Sequence, residues 1–226
     1  MVFPSTCIFC GKLDFTSGKI GICKKCIPKE SFFHDREGYC KICKSILKEE
    51  ICEFCNSRNI FFEGLEFIRW REEKEKKILH DLKFLPVPIL SGYFRIGLVK
   101  TLKFLPIKKI SHLVTIPSNR KTKRGRPVPA VHSVLKKIEK KYFIKSKPYL
   151  KKISKKLQSG QSFQDRFIHA RFAFEILPEY KNNLSGTCIL VDDIFTTGAS
   201  INECARILKE NGAEKVFCII LARGKN

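Results

Sequence analysis

Two adjacent carboxylates followed by small hydroxyl residues stand near the carboxyl end of this 226-residue chain. An apolar run that begins at Cys188 ends in the two acids, and the letters IFTTGAS follow them. Carboxylates accept hydrogen bonds from vicinal hydroxyls, or hold a magnesium ion that those hydroxyls also bind. Hydroxyl groups and amides around a glycine can surround a phosphate. The order of residues therefore predicts a sugar-phosphate site, formed by Asp192, Asp193, Thr196, Thr197, Gly198, Ala199 and Ser200.

A strand, a helix and a second strand are predicted around these residues. Ile201, Cys204, Ala205 and Leu208 recur at the spacing of one helix face, and a glycine stop follows at position 212. Residues 216–221 form an apolar run typical of a buried strand. Such a crossover unit places two parallel strands side by side, and ligands bind outside the carboxyl ends of such strands. The alternative is a buried strand with an Asp-rich turn and a threonine cap.

The same stretch resembles the signature of type I phosphoribosyltransferases, which bind phosphoribosyl pyrophosphate (PRPP). In that family the two acidic residues contact the ribose hydroxyls, and the loop holds the 5-phosphate. The resemblance implies PRPP as the ligand, together with Mg²⁺. It also implies an α/β fold in which a parallel sheet forms a phosphoribosyltransferase-like domain.

Eight of the eleven cysteines form four CxxC pairs. They are Cys7 and Cys10, Cys23 and Cys26, Cys40 and Cys43, and Cys52 and Cys55. A two-residue gap lets two thiolates bind one metal, so the pairs predict one or two structural zinc sites of four sulfurs each. The spacing does not decide which pairs share a metal. A disulfide framework is the alternative, and the short gap and the lack of a recognisable secretory signal disfavour it.

Composition indicates two unequal domains. Residues 1–58 contain few large apolar side chains and would need the metal as a staple, so we expect a small cysteine-rich zinc-binding domain. Residues 59–226 are long enough for the α/β core. No apolar run is long enough to span a membrane, and a cytoplasmic location is expected. The other three cysteines, Cys188, Cys204 and Cys218, have apolar neighbours and are expected in the core.

The formal net charge is +22, and much of it lies in residues 120–126 and 136–156. Such density attracts phosphates, which suggests single-stranded nucleic acid as a partner. The alternative is a solvated lysine face that reflects a compositional bias. The aromatic residues of the cysteine-rich region could stack on bases, although we expect most to pack around the metal. They are Phe3, Phe9, Phe32, Phe33, Tyr39 and Phe54.

Three weaker signals lie between the two ends. An amphipathic helix is predicted from near Glu72 to Phe84, and residues 113–117 are predicted to form a buried strand. The basic loop after that strand could bind pyrophosphate through Arg120, Lys121, Arg124 and Gly125. Residues 158–174 could cover the site, or form a plain surface helix or hairpin.

Taken in order, these parts resemble the ComF family of competence-associated proteins, which join a cysteine-rich zinc region to a phosphoribosyltransferase-like domain. The resemblance rests on the four CxxC pairs, the Leu82-Lys83-Phe84 helix end and the terminal Leu221-Ala222-Arg223. It also rests on residues that correspond to the segment called the hood in that family, namely Gln158, Arg166, His169 and Ala173-Phe174. It implies Gln158 and Arg166 as hood residues, a role in DNA uptake, and a helicase-like competence protein as a partner. The chain departs from the family at His169, where asparagine is usual, and in the basic loop, which lacks Phe-Asn-Gln.

Three functions are therefore considered. In the first, a phosphoribosyltransferase uses PRPP, with no catalytic residue yet identified and an unknown acceptor. In the second, a non-catalytic protein that binds single-stranded DNA keeps the fold as a phosphate-recognition platform. In the third, a regulatory sensor binds PRPP without turnover.

Overall fold

The computed structural model describes residues 5–15, 17–27, 37–84, 90–105, 109–117, 130–154 and 163–224. The strands are β1 (Ser5–Thr6), β2 (Leu13–Asp14), β3 (Gly64–Trp70), β4 (His112–Thr115), β5 (Ser146–Lys147), β6 (Leu150–Lys152), β7 (Phe174–Ile176), β8 (Thr187–Phe195) and β9 (Lys215–Arg223). The helices are α1 (Ser17–Ile20), α2 (Glu53–Asn56), α3 (Glu73–Phe84), α4 (Ser91–Thr101), α5 (Ala130–Tyr142), α6 (Phe163–Arg171) and α7 (Ala199–Glu210).

Five strands form one parallel sheet in the order β3-β9-β8-β4-β5. Cys188 of β8 pairs with Val216 of β9, and α7 connects these two strands. The predicted α/β fold and its crossover unit are therefore confirmed. Because the strands are parallel, their carboxyl ends meet at one edge of the sheet. Residues 196–200, called the hydroxyl-rich loop below, leave β8 at this edge.

The sheet is buried on both faces, which explains the unbroken apolar runs of its central strands. Ile189 and Val191 of β8 join a core formed with α3, α4 and α5, on what we call the α4 face. Cys188 and Leu190 point the other way, into a core formed with α7, on the α7 face. All four side chains are fully buried, as expected where successive residues of a strand face two different layers.

A smaller unit, called the hood, covers part of the α7 face. It consists of the antiparallel pair β6–β7, in which Lys152 pairs with Phe174, and of α6. Phe174 is buried in the α7-face core, and Arg171 lies 3.9 Å from Glu203 of α7. The described part of residues 158–174, which are predicted to form a cover or a plain surface helix or hairpin, contains α6 and the first residue of β7. The earlier residues, including Gln158, lie outside the described part of the chain.

Three further predictions can be compared with the structure: one helix, one strand and the burial of three cysteines. The helix expected from near Glu72 is α3, and the strand expected at 113–117 is β4, which begins one residue earlier and ends two residues earlier than predicted. Cys188, Cys204 and Cys218 are fully buried, and burial raises the pKa of the Cys188 thiol to about 12. Within the described ranges, no helix combines the length and the apolar character that a membrane crossing requires.

Candidate functional site

A cavity of about 180 Å³ opens at the carboxyl end of β8. Its lining consists of Arg166 from the hood, Asp192 from β8 and the continuous run of residues 194–201. The whole hydroxyl-rich loop and the first turn of α7 therefore face one space. The structure brings together most of the residues that the sequence predicts for a sugar phosphate.

The two adjacent carboxylates are placed differently. Asp192 lines the cavity, whereas Asp193 is not among the lining residues, because successive side chains of a strand point to opposite faces. The backbone N–H of Asp193 donates a hydrogen bond of 2.9 Å to Oδ1 of Asp192. This bond helps to orient the Asp192 carboxylate, which is only half-buried and can still meet a ligand.

Gly198, in the middle of the hydroxyl-rich loop, caps α7 with a left-handed backbone, φ 73°. Its carbonyl accepts the N–H of Asn202 at 2.9 Å, which starts the helix. The first amides of a helix have no partner within it and carry the positive end of its dipole. A helix start that lines a cavity is therefore suited to a phosphate group.

The hood brings positive charge to the same region. Arg166 of α6, which the family resemblance implies as a hood residue, lines the cavity. Lys152 of β6 is half-buried; burial lowers its pKa, while the neighbouring Cys204 and Asp192 act in the opposite direction. Lys152 does not line the cavity itself, and the sequence gives it no special role, because it lies within a long lysine-rich segment. Four predicted pyrophosphate-loop residues, Arg120, Lys121, Arg124 and Gly125, lie outside the described residues.

The eight CxxC cysteines form two separate groups of four. The first four-cysteine unit contains Cys7, Cys10, Cys23 and Cys26, and the second four-cysteine unit contains Cys40, Cys43, Cys52 and Cys55. Within each group the sulfur atoms lie within 4.8 Å of one another. Consecutive pairs therefore share a site, which resolves the pairing that spacing leaves open.

The sulfur positions fit a tetrahedral metal. The sulfurs of Cys10 and Cys23 are 3.8 Å apart in the first unit, and those of Cys40 and Cys55 are 3.7 Å apart in the second. A zinc ion with Zn–S bonds of about 2.3 Å places tetrahedral sulfurs roughly 3.8 Å apart. Both units could hold zinc, and four sulfurs around each ion leave no position for a substrate, so the metal would be structural.

Each CxxC pair with its two intervening residues is called a knuckle. In both units, the same hydrogen-bonded turn follows the first knuckle. The N–H of Gly11 donates to the carbonyl of Cys7 at 2.9 Å, and the N–H of Lys44 donates to the carbonyl of Cys40 at 2.9 Å. Both turn residues have a left-handed backbone, with φ of 69° and 57°. Glycine adopts this conformation readily, whereas a lysine in it is uncommon.

Each unit contains one thiol that ionises readily. A hydrogen bond from the Cys55 thiol outweighs burial and lowers the pKa of Cys43 to about 4. Burial acts to raise the pKa of Cys7, but backbone hydrogen bonds, led by that from Cys23, lower it to about 6. The thiolate is the form that binds a metal, so both groups are predisposed to do so.

Comparison with known protein families gives an independent finding. Residues 127–226 match the family model of the phosphoribosyl transferase domain, and the match includes β8, the hydroxyl-rich loop, α7 and β9. A search of curated proteins finds no match to the chain. The carboxyl-terminal part of the chain is therefore similar to a phosphoribosyl transferase domain, and two four-cysteine units that could hold zinc precede it.

Proposed function

We propose that the protein binds PRPP in the cavity at the end of β8. The observation that carries this proposal is the joining, around one space, of the Asp192 carboxylate, the hydroxyl-rich loop and the first turn of α7. A ribose 5-phosphate unit has the complementary groups, a dianionic phosphate at one end and vicinal hydroxyls at the other. The family match over the same residues supports the same ligand class.

Each part of the site has a role in this proposal. The amides and hydroxyls of residues 196–200 hold the 5-phosphate, and Asp192 accepts hydrogen bonds from the ribose hydroxyls. Asp193 supports Asp192 through the backbone hydrogen bond described above. Arg166 and Lys152 offer positive charge to the pyrophosphate. The basic loop of residues 120–125 is proposed to add to it.

Magnesium fits the donor chemistry of the site, because a carboxylate oxygen in a cavity is a ligand that Mg²⁺ prefers. Bound there with PRPP, the ion would supply charge neutralisation to the pyrophosphate. The residue of this chain that would hold it is Asp192, since Asp193 does not line the cavity.

We further propose phosphoribosyl transfer as the reaction. The bond between C1 of the ribose and a pyrophosphate oxygen breaks, the electron pair leaves with pyrophosphate, and a nucleophile bonds to C1. Positive charge develops on the ribose ring, and the Asp192 carboxylate would stabilise it. Among the described lining residues Asp192 is the only carboxylate and none is a histidine, so a proton from the nucleophile needs another acceptor.

Calorimetric titration of the zinc-loaded chain with PRPP, with and without Mg²⁺, tests the binding proposal. We expect Asp192→Asn to weaken PRPP binding roughly 10- to 100-fold, because a hydrogen bond to a charged group is worth about 1.5–3 kcal/mol. Asp14→Asn is the matched control; Asp14 accepts the N–H of Ser17 far from the cavity, and asparagine can replace this cap. Wild-type protein that shows no binding heat with PRPP would contradict the proposal.

A second experiment distinguishes an enzyme from a sensor. Release of pyrophosphate in the presence of candidate acceptors indicates an enzyme, and PRPP binding without release indicates a sensor.

A second candidate function, binding of single-stranded nucleic acid, is favoured by one exposed side chain. Phe143 follows α5 with 97% of its surface exposed and a left-handed backbone, φ 52°. Lys140 and Lys145, close to it in sequence, are exposed as well. An exposed ring among lysines can stack on a base while the lysines attract phosphates. From the resemblance to the ComF family we propose that the protein acts in the cytoplasm in DNA uptake, with a helicase-like competence protein as a partner.

A fluorescent oligothymidine tests this second candidate. We expect affinity to fall steeply as salt rises and Phe143→Ala to weaken it roughly 5- to 100-fold, since stacking of one base contributes about 1–3 kcal/mol. Phe104→Ala, which removes another partly exposed ring at the end of α4, serves as the control. Equal affinities for wild type and Phe143→Ala would remove Phe143 from the interface.

A further inference from the structure

The second four-cysteine unit contacts the hydroxyl-rich loop through Phe54, which directly precedes Cys55 in the chain. The Phe54 ring is buried and lies against Gly198: a Cβ added to that glycine would come within 2.7 Å of two ring atoms. Phe54 also packs on Phe195, with ring centroids 5.7 Å apart. The hydroxyl-rich loop therefore packs against a side chain that lies between two cysteines of the second unit.

Arg223, at the end of β9, makes a second connection between the same two regions. Its buried guanidinium donates to the carbonyl of Cys43 and, at 2.7 Å, to the hydroxyl of Ser45. The guanidinium also lies 4.3 Å from the ring centroid of Phe195, where β8 gives way to the loop. Both acceptors belong to the Cys40–Cys43 knuckle and the residues after it, so the position of the arginine depends on that knuckle.

The hood side of the cavity is linked to the unit as well. The guanidinium of Arg58 lies 4.6 Å from the Phe54 ring centroid and 4.4 Å from that of Phe167. On α6, Phe167 directly follows Arg166, and Arg166 is the hood residue that lines the cavity. The second unit thus contacts both the loop that faces the ligand and the helix that covers it.

We propose that Phe54 and Arg223 are positioning residues, through which the metal-bound second four-cysteine unit holds the hydroxyl-rich loop in its ligand-binding conformation. The first four-cysteine unit has no such role, since its buried residues belong to the core on the opposite face of the sheet. This inference rests on the proposed function for its ligand, PRPP. The mechanical part, that the knuckle orders the loop, does not depend on the identity of the ligand.

The chain has one tryptophan, Trp70, and its fluorescence can report on the second unit separately from the first. Trp70 pairs with Arg223 in the sheet, and its ring lies 4.6 Å from that of Phe67 and 6.2 Å from that of Tyr39, next to Cys40. Loss of the knuckle structure should therefore change the Trp70 emission. This signal is a check on the integrity of the second unit in every variant.

Hydrogen exchange of a peptide that covers residues 196–200 in the zinc-loaded full chain is the decisive measurement. We expect Phe54→Ala to speed exchange of the loop amides roughly tenfold, because the loop opens locally without the chain unfolding. Phe54→Leu restores most of the protection, since it refills the space beneath Gly198. The matched control is Ile22→Ala, which truncates a fully buried side chain of the first unit and leaves loop exchange unchanged.

Arg223→Lys is the second variant, and it keeps the charge while losing the paired donors and the stacked plane. PRPP titration completes the test: we expect both Phe54→Ala and Arg223→Lys to weaken binding roughly tenfold, about 1.4 kcal/mol, with little change for Ile22→Ala. Unchanged loop exchange in both Phe54→Ala and Arg223→Lys overturns the inference. If wild-type protein does not bind PRPP, the proposed function fails, while the exchange data still decide whether the second unit orders the loop.

Discussion

The two four-cysteine units share their ligand geometry and differ in what they contact. In each, four sulfur atoms lie within 4.8 Å of one another, and a left-handed residue, Gly11 or Lys44, follows the first knuckle. The first unit packs into the core on the α4 face, and the second packs into the core on the α7 face. The same metal-binding motif thus supports a helical layer on one side of the sheet and contacts a candidate ligand site on the other.

The first unit is fitted closely to α4. A Cβ added to Gly92 of that helix would lie 2.8 Å from Cγ2 of Ile20, so the glycine allows the unit to approach the helix backbone. Ile20 and Ile22 are buried in the α4-face core. These contacts explain a role in stability and do not extend to the cavity.

The second unit is attached to the outer strand of the sheet. The N–H of Leu65 in β3 donates to the carbonyl of Ile42 at 2.7 Å, and Lys44 forms a buried ion pair of 3.1 Å with Glu66. The unit therefore covers an edge that would otherwise offer free backbone groups to another strand. Its position is fixed by the sheet on one side and by Phe54 on the other.

Loss of a metal ligand should have the largest effect and separate the two units most clearly. Cys7→Ser and Cys43→Ser each remove a buried sulfur, one from each unit. We expect each to lower the zinc content from two ions to one and the free energy of unfolding by several kcal/mol, because metal binding is coupled to local folding. Only Cys43→Ser should change the Trp70 emission and abolish PRPP binding. Zinc analysis, thermal unfolding and titration check these outcomes, and loss of PRPP binding in Cys7→Ser alone would reverse our assignment.

Lys44→Gly should have the next largest effect. Glycine relieves the left-handed backbone by about 1 kcal/mol, but it leaves Glu66 buried without its cation, which costs roughly 3–5 kcal/mol. A net loss of about 2–4 kcal/mol is expected in denaturant unfolding. Lys48→Ala, which breaks the exposed Lys48–Glu53 pair of the same unit, should change stability little. Stabilisation by Lys44→Gly would mean that the backbone strain outweighs the ion pair.

Alanine at two glycines with the same backbone conformation gives the third comparison, in which the expected difference between the two variants is about 1–3 kcal/mol. Gly11 and Gly198 have φ of 69° and 73°, but a Cβ meets nothing within 4 Å at the first and two aromatic rings at the second. We expect Gly11→Ala to cost about 1 kcal/mol of stability from the backbone alone. Gly198→Ala should cost roughly 2–4 kcal/mol, because overpacking adds about 1–3 kcal/mol. Equal losses of unfolding free energy would show that Phe54 does not press on the loop.

The parts of this fold that local patterns encode are predictable from the sequence. The apolar run, the helical spacing and the second apolar run predict β8, α7 and β9 in the right order, since each pattern lies within a few consecutive residues. The CxxC pairs likewise predict the eight cysteines that the fold brings together in two groups able to hold a metal. Helix α4 is not indicated, because its two glycines interrupt the usual pattern and one of them serves the contact with Ile20.

Contacts between distant segments could not be predicted. The acceptor of Arg223 lies 180 positions away, and no local pattern identifies it. Phe54 could have stacked on bases or packed against the protein, and only the fold shows that it lies beneath Gly198. Lys152 is one of many lysines in its segment, and its proximity to Asp192 arises from the placement of the hood on α7.

A crystal structure of the zinc-loaded chain with PRPP and Mg²⁺ tests the central claim most directly. We predict that the 5-phosphate lies on the amides of residues 196–200, that the ribose hydroxyls contact Asp192, and that Phe54 stays packed beneath Gly198. An empty cavity at saturating PRPP, or PRPP bound at another surface, would contradict the account.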